Sequence, residues 1–496
     1  MNIPVLVMVL VYEFIVCIGI GLFLIIRDKR KANLDEGDNF ALAGRKMGYA
    51  TLIPTMALTA LGNAHFTGMF QMSFDLGATA MWFIFGNTCH FVVLCLCTGP
   101  WIRKMEVATV SQAIEKLYGK KICLAISCAM SGVTFGVLTV ECQGMGLIFS
   151  SLTNFPLVTA TIIVGIFGIF YVIIAGMKEV GAVNLVNIIV LYIGVIFAVF
   201  FIGKALPGGS FDYVTDTLMA NTETEFMTKL FASPSLWFSF ALANIISTVF
   251  YGPVSQANCQ APMSAKNAKV IRRSLWVVAI INGMFGVFSV SIGLAARTLP
   301  EYAAAGANNA ALHMMIDMLP APVCAAVLAA ALAACLSSFA MTALGCGTMF
   351  GYDIYKGLFN PKASEKQVAW VIRIVVLILC VVAIAISVGI SSIVGAMNWV
   401  FAWIVPVFWL FIFGLFWKRS AKVAGVALAV TWIANCLWSL TSLPSVFGTT
   451  ADAVPNGYVT LIVGLVCIVI GNLCVKGEPG IWSKKAGGIQ VKPAVK

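Results

Sequence analysis

Residues 51–71 read TLIPTMALTALGNAHFTGMFQ, and residues 237–256 read WFSFALANIISTVFYGPVSQ. Each stretch is apolar enough to cross a bilayer, and each is interrupted in a way that a continuous membrane helix avoids. Gly62-Asn63 stands at mid-span in the first. Gly252-Pro253 closes the second, where Pro253 lacks a backbone donor and glycine is a poor helix former. Counted along the chain, these are the second and seventh spanning segments, five apart. Five is odd, so segments 2–6 and 7–11 read as two five-helix units of opposite topology. Unwound backbone at membrane depth is tolerated where it lines a cavity. A matched pair of Gly/Pro-interrupted helices in two halves points to a transport site.

The bulk composition agrees. Of 496 residues, 60% are hydrophobic and 10% charged, with a mean hydropathy of +0.97. Soluble domains carry about 25% charged residues. Soluble, disordered and nucleic-acid-binding chains are thereby excluded, leaving an all-α integral membrane protein. Thirteen segments of spanning length are predicted, near 3–27, 50–73, 77–102, 121–151, 156–175, 181–203, 236–253, 275–297, 321–351, 369–389, 391–417, 421–441 and 457–475. With the N-terminus outside, strict alternation puts 27 of the 31 Lys and Arg on the cytoplasmic side and three in outside loops, as the positive-inside rule requires. The expectation is a multi-pass protein of the plasma or inner membrane with its C-terminus in the cytoplasm. Its net charge of +11 then lies near anionic lipid.

The chain divides into a peripheral helix and basic loop (1–48), a first repeat (49–203), an extracellular linker (204–235), a second repeat (236–417), two peripheral helices (418–475) and a tail (476–496). Apolar residues 1–26 lack a basic leader and are followed by Arg27, Lys29, Arg30 and Lys31. That order describes a retained span rather than a cleaved signal. Glu13 on this helix is expected near the outer headgroups. The fifteen cysteines include no CxxC pair and no Cys/His cluster, and the three histidines are scattered. Cofactor and transition-metal chemistry are therefore not expected.

The ninth segment reads APVCAAVLAAALAACLSSFAMTALGCGTMFGYDIYKG over 321–357, with eight alanines in its first fourteen residues. Small residues let helix backbones approach closely. Ala334, Ser337 and Ser338 stand at i, i+3 and i+4 and share one face. Two hydroxyls beside a carbonyl suit a hard monovalent cation. A serine pair can equally hydrogen-bond to a neighbouring helix, and the broken helices favour the cation.

These residues resemble the sodium/solute symporter family, whose inverted-repeat fold is that of a bacterial leucine transporter. The resemblance is carried by FALAGRKMG (40–48), GNAHFTGM (62–69), GMKEVGAVNLVN (176–187), SQANCQAPMSAKNAKVIRRS (255–274), SSFAMTALGCGTMFGYDIYK (337–356) and FGLFWKRSAKVAG (413–425). It implies a sodium site made by carbonyls of Leu58, Leu61 and Ala334 and hydroxyls of Ser337 and Ser338. Some members bind a second sodium through an aspartate aligned with Asn184, and the positions one turn past the serines are Ala340 and Met341. The resemblance therefore implies one sodium per cycle. It places substrate contacts at Asn63 and His65 by the first break, at Ser255, Gln256 and Asn258 after the second, and at Asn398 on the eleventh segment.

Glu141, in LTVECQGMG of the fourth segment, is an intramembrane carboxylate and so a functional candidate. It could meet a cationic solute. Members that carry acidic sugars use an arginine near this position, and this chain has none. The expected function is a sodium-coupled symporter, not an enzyme, that imports a small polar organic solute such as an amino acid, amine or vitamin-like compound. A proton-coupled carrier of the same fold and a sodium-coupled sugar or monocarboxylate symporter are the alternatives. Sodium is the coupling ion, no cofactor or obligatory protein partner is expected, and lipid surrounds the chain.

Overall fold

The computed structural model describes residues 2–21, 23, 26, 41–174, 177–387, 389 and 393–483. The basic residues Arg27 to Lys31, Phe40 of the FALAGRKMG stretch and the tail from residue 484 lie outside the described residues. Helix α1 spans Ile3–Ile20. The first repeat comprises α2 (Tyr49–Ala60), α3 (Thr67–Leu76), α4 (81–104), a short α5 (Val110–Tyr118), α6 (Lys120–Thr153), α7 (Leu157–Ile174) and α8 (Met177–Ala205). A short α9 (Asp212–Met219) occupies the linker. The second repeat comprises α10 (Pro234–Val254), α11 (Gln256–Ser264), α12 (Ala268–Thr298), a short α13 (Ala310–Met318), α14 (Ala321–Phe359), α15 (Glu365–Ser387), α16 (Ile393–Ala402) and α17 (Val405–Phe416). Helices α18 (Ala421–Leu440) and α19 (Asn456–Cys474) follow. A two-residue strand pair, Lys418–Arg419 with Glu478–Pro479, ties the C-terminal end of α17 to the stretch after α19.

Eleven helices among the described residues are long and apolar enough to cross a membrane, rather than thirteen. The difference lies in two places. The second segment is two half-helices, α2 and α3, and α3 continues through a turn at Gly77 into α4. The fifth, α7, is a shorter apolar helix. Thirteen crossings therefore rest on pairing α2 with α3 across their break and on α7, and the count stays an expectation.

The breaks fall where the sequence puts them. The α2 ladder ends at Leu61, because the His65 N–H bonds to Gly62 O at 3.1 Å instead of reaching Leu61 O. A three-residue turn, Asn63–His65, then leads into α3. Gly62 is required by crowding: a Cβ there would lie 2.5 Å from Ser338 Oγ and 2.5 Å from Glu141 Oε1. In the second repeat, α10 ends in a tight turn over Gly252–Val254, and an extended Ser255 separates it from α11. The sequence did not announce a third interruption, at Trp403–Ile404 between α16 and α17.

Helix α14 is the axis of the bundle. In its spanning window 89% of residues are buried, against 28% for α1. Its alanines permit α6 and α8 to pack directly against it. The stretch just before α2 is clipped to the second repeat: Met47 N–H bonds to Ser264 O and Lys266 N–H to Met47 O, both at 3.0 Å. Glu13 lies within α1 and is 3% exposed. It turns into the bundle because α1 packs against α14.

Candidate functional site

The first break is held between α6 and α14. The Ser338 hydroxyl donates to Leu58 O and Thr59 O, each at 3.0 Å. Asn184 on α8 donates its amide to Ser337 Oγ at 2.7 Å. Leu58, Leu61, Ala334, Ser337 and Ser338 are all buried. The structure thus brings Leu58 and Ser338 into contact, adds the Thr59 carbonyl to the set, and turns Ser337 towards α8. A hydroxyl carries one donor and two acceptor lone pairs. By rotating, Ser338 can offer oxygen to a cation that the two carbonyls also face. Helices unwound at such a point present carbonyls that would otherwise be spent in the ladder.

Glu141 on α6 reaches the same break. Its Oε2 accepts the Asn63 N–H at 2.9 Å. The Asn63 side chain turns towards α6: its amide donates to Val140 O at 2.8 Å, and the Thr67 hydroxyl donates to its Oδ1. Gly144 makes room for it, since any Cβ there would overlap the Asn63 amide. Asn63 therefore braces the break against α6 and does not line the adjoining cavity.

That cavity, about 60 Å³, lies between the two breaks. A water molecule needs roughly 10–15 Å³ on this measure, so the space suits several waters or a small solute. Of the expected contacts, His65, Glu141 and Asn258 line it. His65 Nε2 meets the Asn87 amide at 2.6 Å, and Ser289 donates to its carbonyl at 3.0 Å. Asn258 donates to Gly252 O at 3.5 Å. The other three are used elsewhere. Ser255 donates to the Tyr251 hydroxyl at 2.9 Å. Gln256 accepts the Val110 N–H at 2.8 Å and so joins α11 to α5. Asn398 donates to Asn244 Oδ1 at 2.7 Å, joining α16 to α10.

Sequence reasoning missed Asn87 and His90 on α4 and the aromatic wall of Phe83, Tyr251 and Phe401. Tyr251 and Phe401 stack with centroids 3.9 Å apart. Asn87 and His90 stand at i, i+3, a polar pair on one face of an apolar span, and that signal could have found them. Two of the scattered histidines thus meet at one cavity. Among the described residues no three metal-ligating side chains come together.

The model of the sodium:solute symporter family matches residues 40–433. The chain belongs to that family. Its members are multi-pass membrane transporters that bind a solute and sodium, not enzymes. Relatives include the high-affinity choline transporter 1 of Drosophila melanogaster, 24% identical over 78% of this chain and 62% of its own length. The monocarboxylic acid transporter of Corynebacterium glutamicum is 23% identical, over 81% and 79% of the two chains. The chain thus spans under two thirds of the first relative's length and more of the second's. A solved Na+-coupled sialic acid symporter in a substrate-bound outward-open state superimposes with a TM-score of 0.78. The two chains are 16% identical, and the match covers 96% of this one and 99% of that one. MhsT in complex with L-phenylalanine gives 0.51 at 14% identity, over 84% and 97%. These likenesses show the leucine-transporter-like fold of the symporter.

Proposed function

We propose that this symporter uses the sodium gradient to import a small organic solute carrying an ammonium group, an amine or an amino acid. The observation that carries the reading is Glu141. It is a buried carboxylate at the first break that lines the cavity beside Phe83, Tyr251 and Phe401, with no Lys or Arg among the lining residues. A carboxylate with aromatic faces is the arrangement that attracts an organic cation. The choline transporters among the relatives are named for such a cation. The monocarboxylate carrier favours a second reading, but a free carboxylate would meet Glu141 with no compensating charge.

Sodium would be held by carbonyls of Leu58, Leu61 and Ala334, with Thr59 added, and by hydroxyls of Ser337 and Ser338. It would replace the hydrogen bonds that Ser338 now makes and fix α2 against α14. The next residues of the same break carry the Asn63 N–H that holds Glu141. Ion and solute therefore bias one element, and each raises the other's affinity by the same factor. Alternating access then moves the repeats, 49–203 and 236–417, about the shared midplane, with the N-terminus outside and the C-terminus in the cytoplasm.

A binding screen on the purified protein tests this. Choline, its uncharged carbon isostere 3,3-dimethylbutan-1-ol, a series of amino acids, and acetate and pyruvate are compared with and without sodium. A ligand that binds the folded state raises its melting temperature by mass action. Stabilisation by ammonium-bearing compounds, larger in sodium, is expected. Stabilisation by the monocarboxylates alone would replace this reading with the second one.

A further inference from the structure

We propose, resting on the sodium reading at Ser338, that Thr98 on α4 and Ser289 on α12 are positioning residues that lock the two breaks to each other, so that an ion at the first break is felt at the second. Each break leaves a carbonyl outside any helical ladder, just before its second half-helix. At the first, α3 starts its ladder with the Phe70 N–H on Phe66 O at 3.1 Å, and His65 O stands one residue earlier. At the second, α11 starts with the Cys259 N–H on Ser255 O at 2.9 Å, and Pro253 O stands two residues earlier. At membrane depth such a carbonyl is costly to leave unpaired. The other repeat supplies the partner in both cases. The Ser289 hydroxyl donates to His65 O at 3.0 Å, and the Thr98 hydroxyl donates to Pro253 O at 2.6 Å. With the broken segment counted as the first of each repeat, α4 is the second of one repeat and α12 is its counterpart in the other. The exchange is therefore reciprocal.

The two clamps are joined. Helices α4 and α12 pack on each other, and glycines bring them close. A Cβ on Gly286 would lie 2.7 Å from Ile84 Cγ1, and one on Gly283 would lie 2.9 Å from Thr88 Oγ1. Asn282, two turns before Ser289 on α12, donates to Ala57 O at 3.4 Å. Helix α12 thus grips the first break on both of its sides. Thr98 closes a widened, π-type turn of α4 over Leu94–Thr98, an irregularity frequent at functional sites. Thr98, Asn282 and Ser289 are 0%, 0% and 1% exposed, so water does not replace their bonds. Movement of one break must carry the other with it or strand a buried carbonyl. Thr98 and Ser289 do not border the cavity, whereas His65, Gly252 and Asn258 do. The clamps therefore act through the backbone that carries the lining residues.

Cys259 is a built-in reporter of the second break, since its thiol also donates to Pro253 O, at 3.3 Å, and is buried. The test is its rate of alkylation by N-methylmaleimide in the purified full-length protein, followed by peptide mass spectrometry with and without sodium, beside 22Na+ binding to the same samples. It needs no knowledge of the solute. Sodium is expected to slow alkylation of wild type about fivefold or more, the lower end of coupling between sites. Ser289→Ala and the isosteric Thr98→Val should still bind 22Na+ and lose that protection, because neither residue touches the ion. Thr98→Ser, which keeps the hydroxyl, should keep the protection. Either clamp can be tested alone if one variant folds poorly. Full protection in folded Ser289→Ala and Thr98→Val, or wild-type alkylation indifferent to sodium while 22Na+ binds, would overturn the proposal. Absence of 22Na+ binding to wild type would instead overturn the sodium reading, and the coupling with it.

Discussion

Asp353 and Glu141 are buried carboxylates on the two long helices that pack at the centre of the bundle, α14 and α6, and they are 4% and 3% exposed. Their partners differ. Asp353 is held by a hydroxyl on each oxygen, Thr109 at 2.8 Å and Ser127 at 2.5 Å. Thr109 also caps α5 by accepting the Gln112 N–H, so Asp353 joins the start of α5 and the body of α6 to the end of α14. Glu141 is held by one backbone N–H at the break, while Oε1 lies against Gly62 and the residue borders the cavity. A carboxylate satisfied on both sides by fixed hydroxyls braces helices. One anchored by a single amide beside a cavity keeps the capacity to bind a ligand. Burial alone does not separate them; the hydrogen-bond partners do.

Substitutions can break that contrast. Asp353→Ala leaves two buried hydroxyls without their acceptor and should cost about 3 kcal/mol of stability. Thermal unfolding should register the loss, while the folded fraction binds solute with unchanged affinity. Glu141→Gln should do the reverse. Removing one partner of a buried charge pair costs about 2 kcal/mol or more, roughly thirtyfold in affinity for an ammonium solute. The uncharged isostere should change little, and so should the melting temperature. Equal losses for both ligands would make Glu141 a brace like Asp353.

The contrast is sharpened by the ion. Ser337→Ala/Ser338→Ala should raise the sodium concentration for half-maximal uptake at least about tenfold, equivalent to about 1.4 kcal/mol. Unchanged sodium dependence in the folded double variant would remove the serines from the site. His65→Ala should have the smallest effect, a loss of about 1 kcal/mol in solute affinity as the hydrogen bond to Asn87 is given up, with sodium affinity in the absence of solute preserved. A fall in melting temperature with normal solute affinity would instead mark His65 as a packing residue.

Much of this was legible in the sequence because it depends on local pattern. Gly62-Asn63 and Gly252-Pro253 interrupt apolar segments five apart, and that matched pairing is readable along the chain, while Ser337 and Ser338 share a face with Ala334 by helical spacing alone. What depends on distant partners was not legible. Asn63 turns towards α6 because Val140 and Glu141, more than seventy residues later, receive it. Glu13 faces inward because α1 packs on α14, and no pattern within residues 3–27 shows it. His65 and His90 meet only because α3 and α4 fold back at Gly77, whose φ of +64° sits against Met227 of the linker. The family resemblance implies a substrate role for Gln256, yet its amide is taken up by the start of α5.

The central claim is that one break couples an ammonium solute at Glu141 to sodium at Ser338. Calorimetric titration of the tightest-binding ammonium solute, with sodium present and with sodium replaced by choline-free potassium buffer, tests it most directly. The account predicts at least about tenfold tighter binding in sodium, a coupling of about 1.4 kcal/mol, which Ser338→Ala abolishes. Equal affinity in the two buffers, or coupling that survives Ser338→Ala in full, would contradict it.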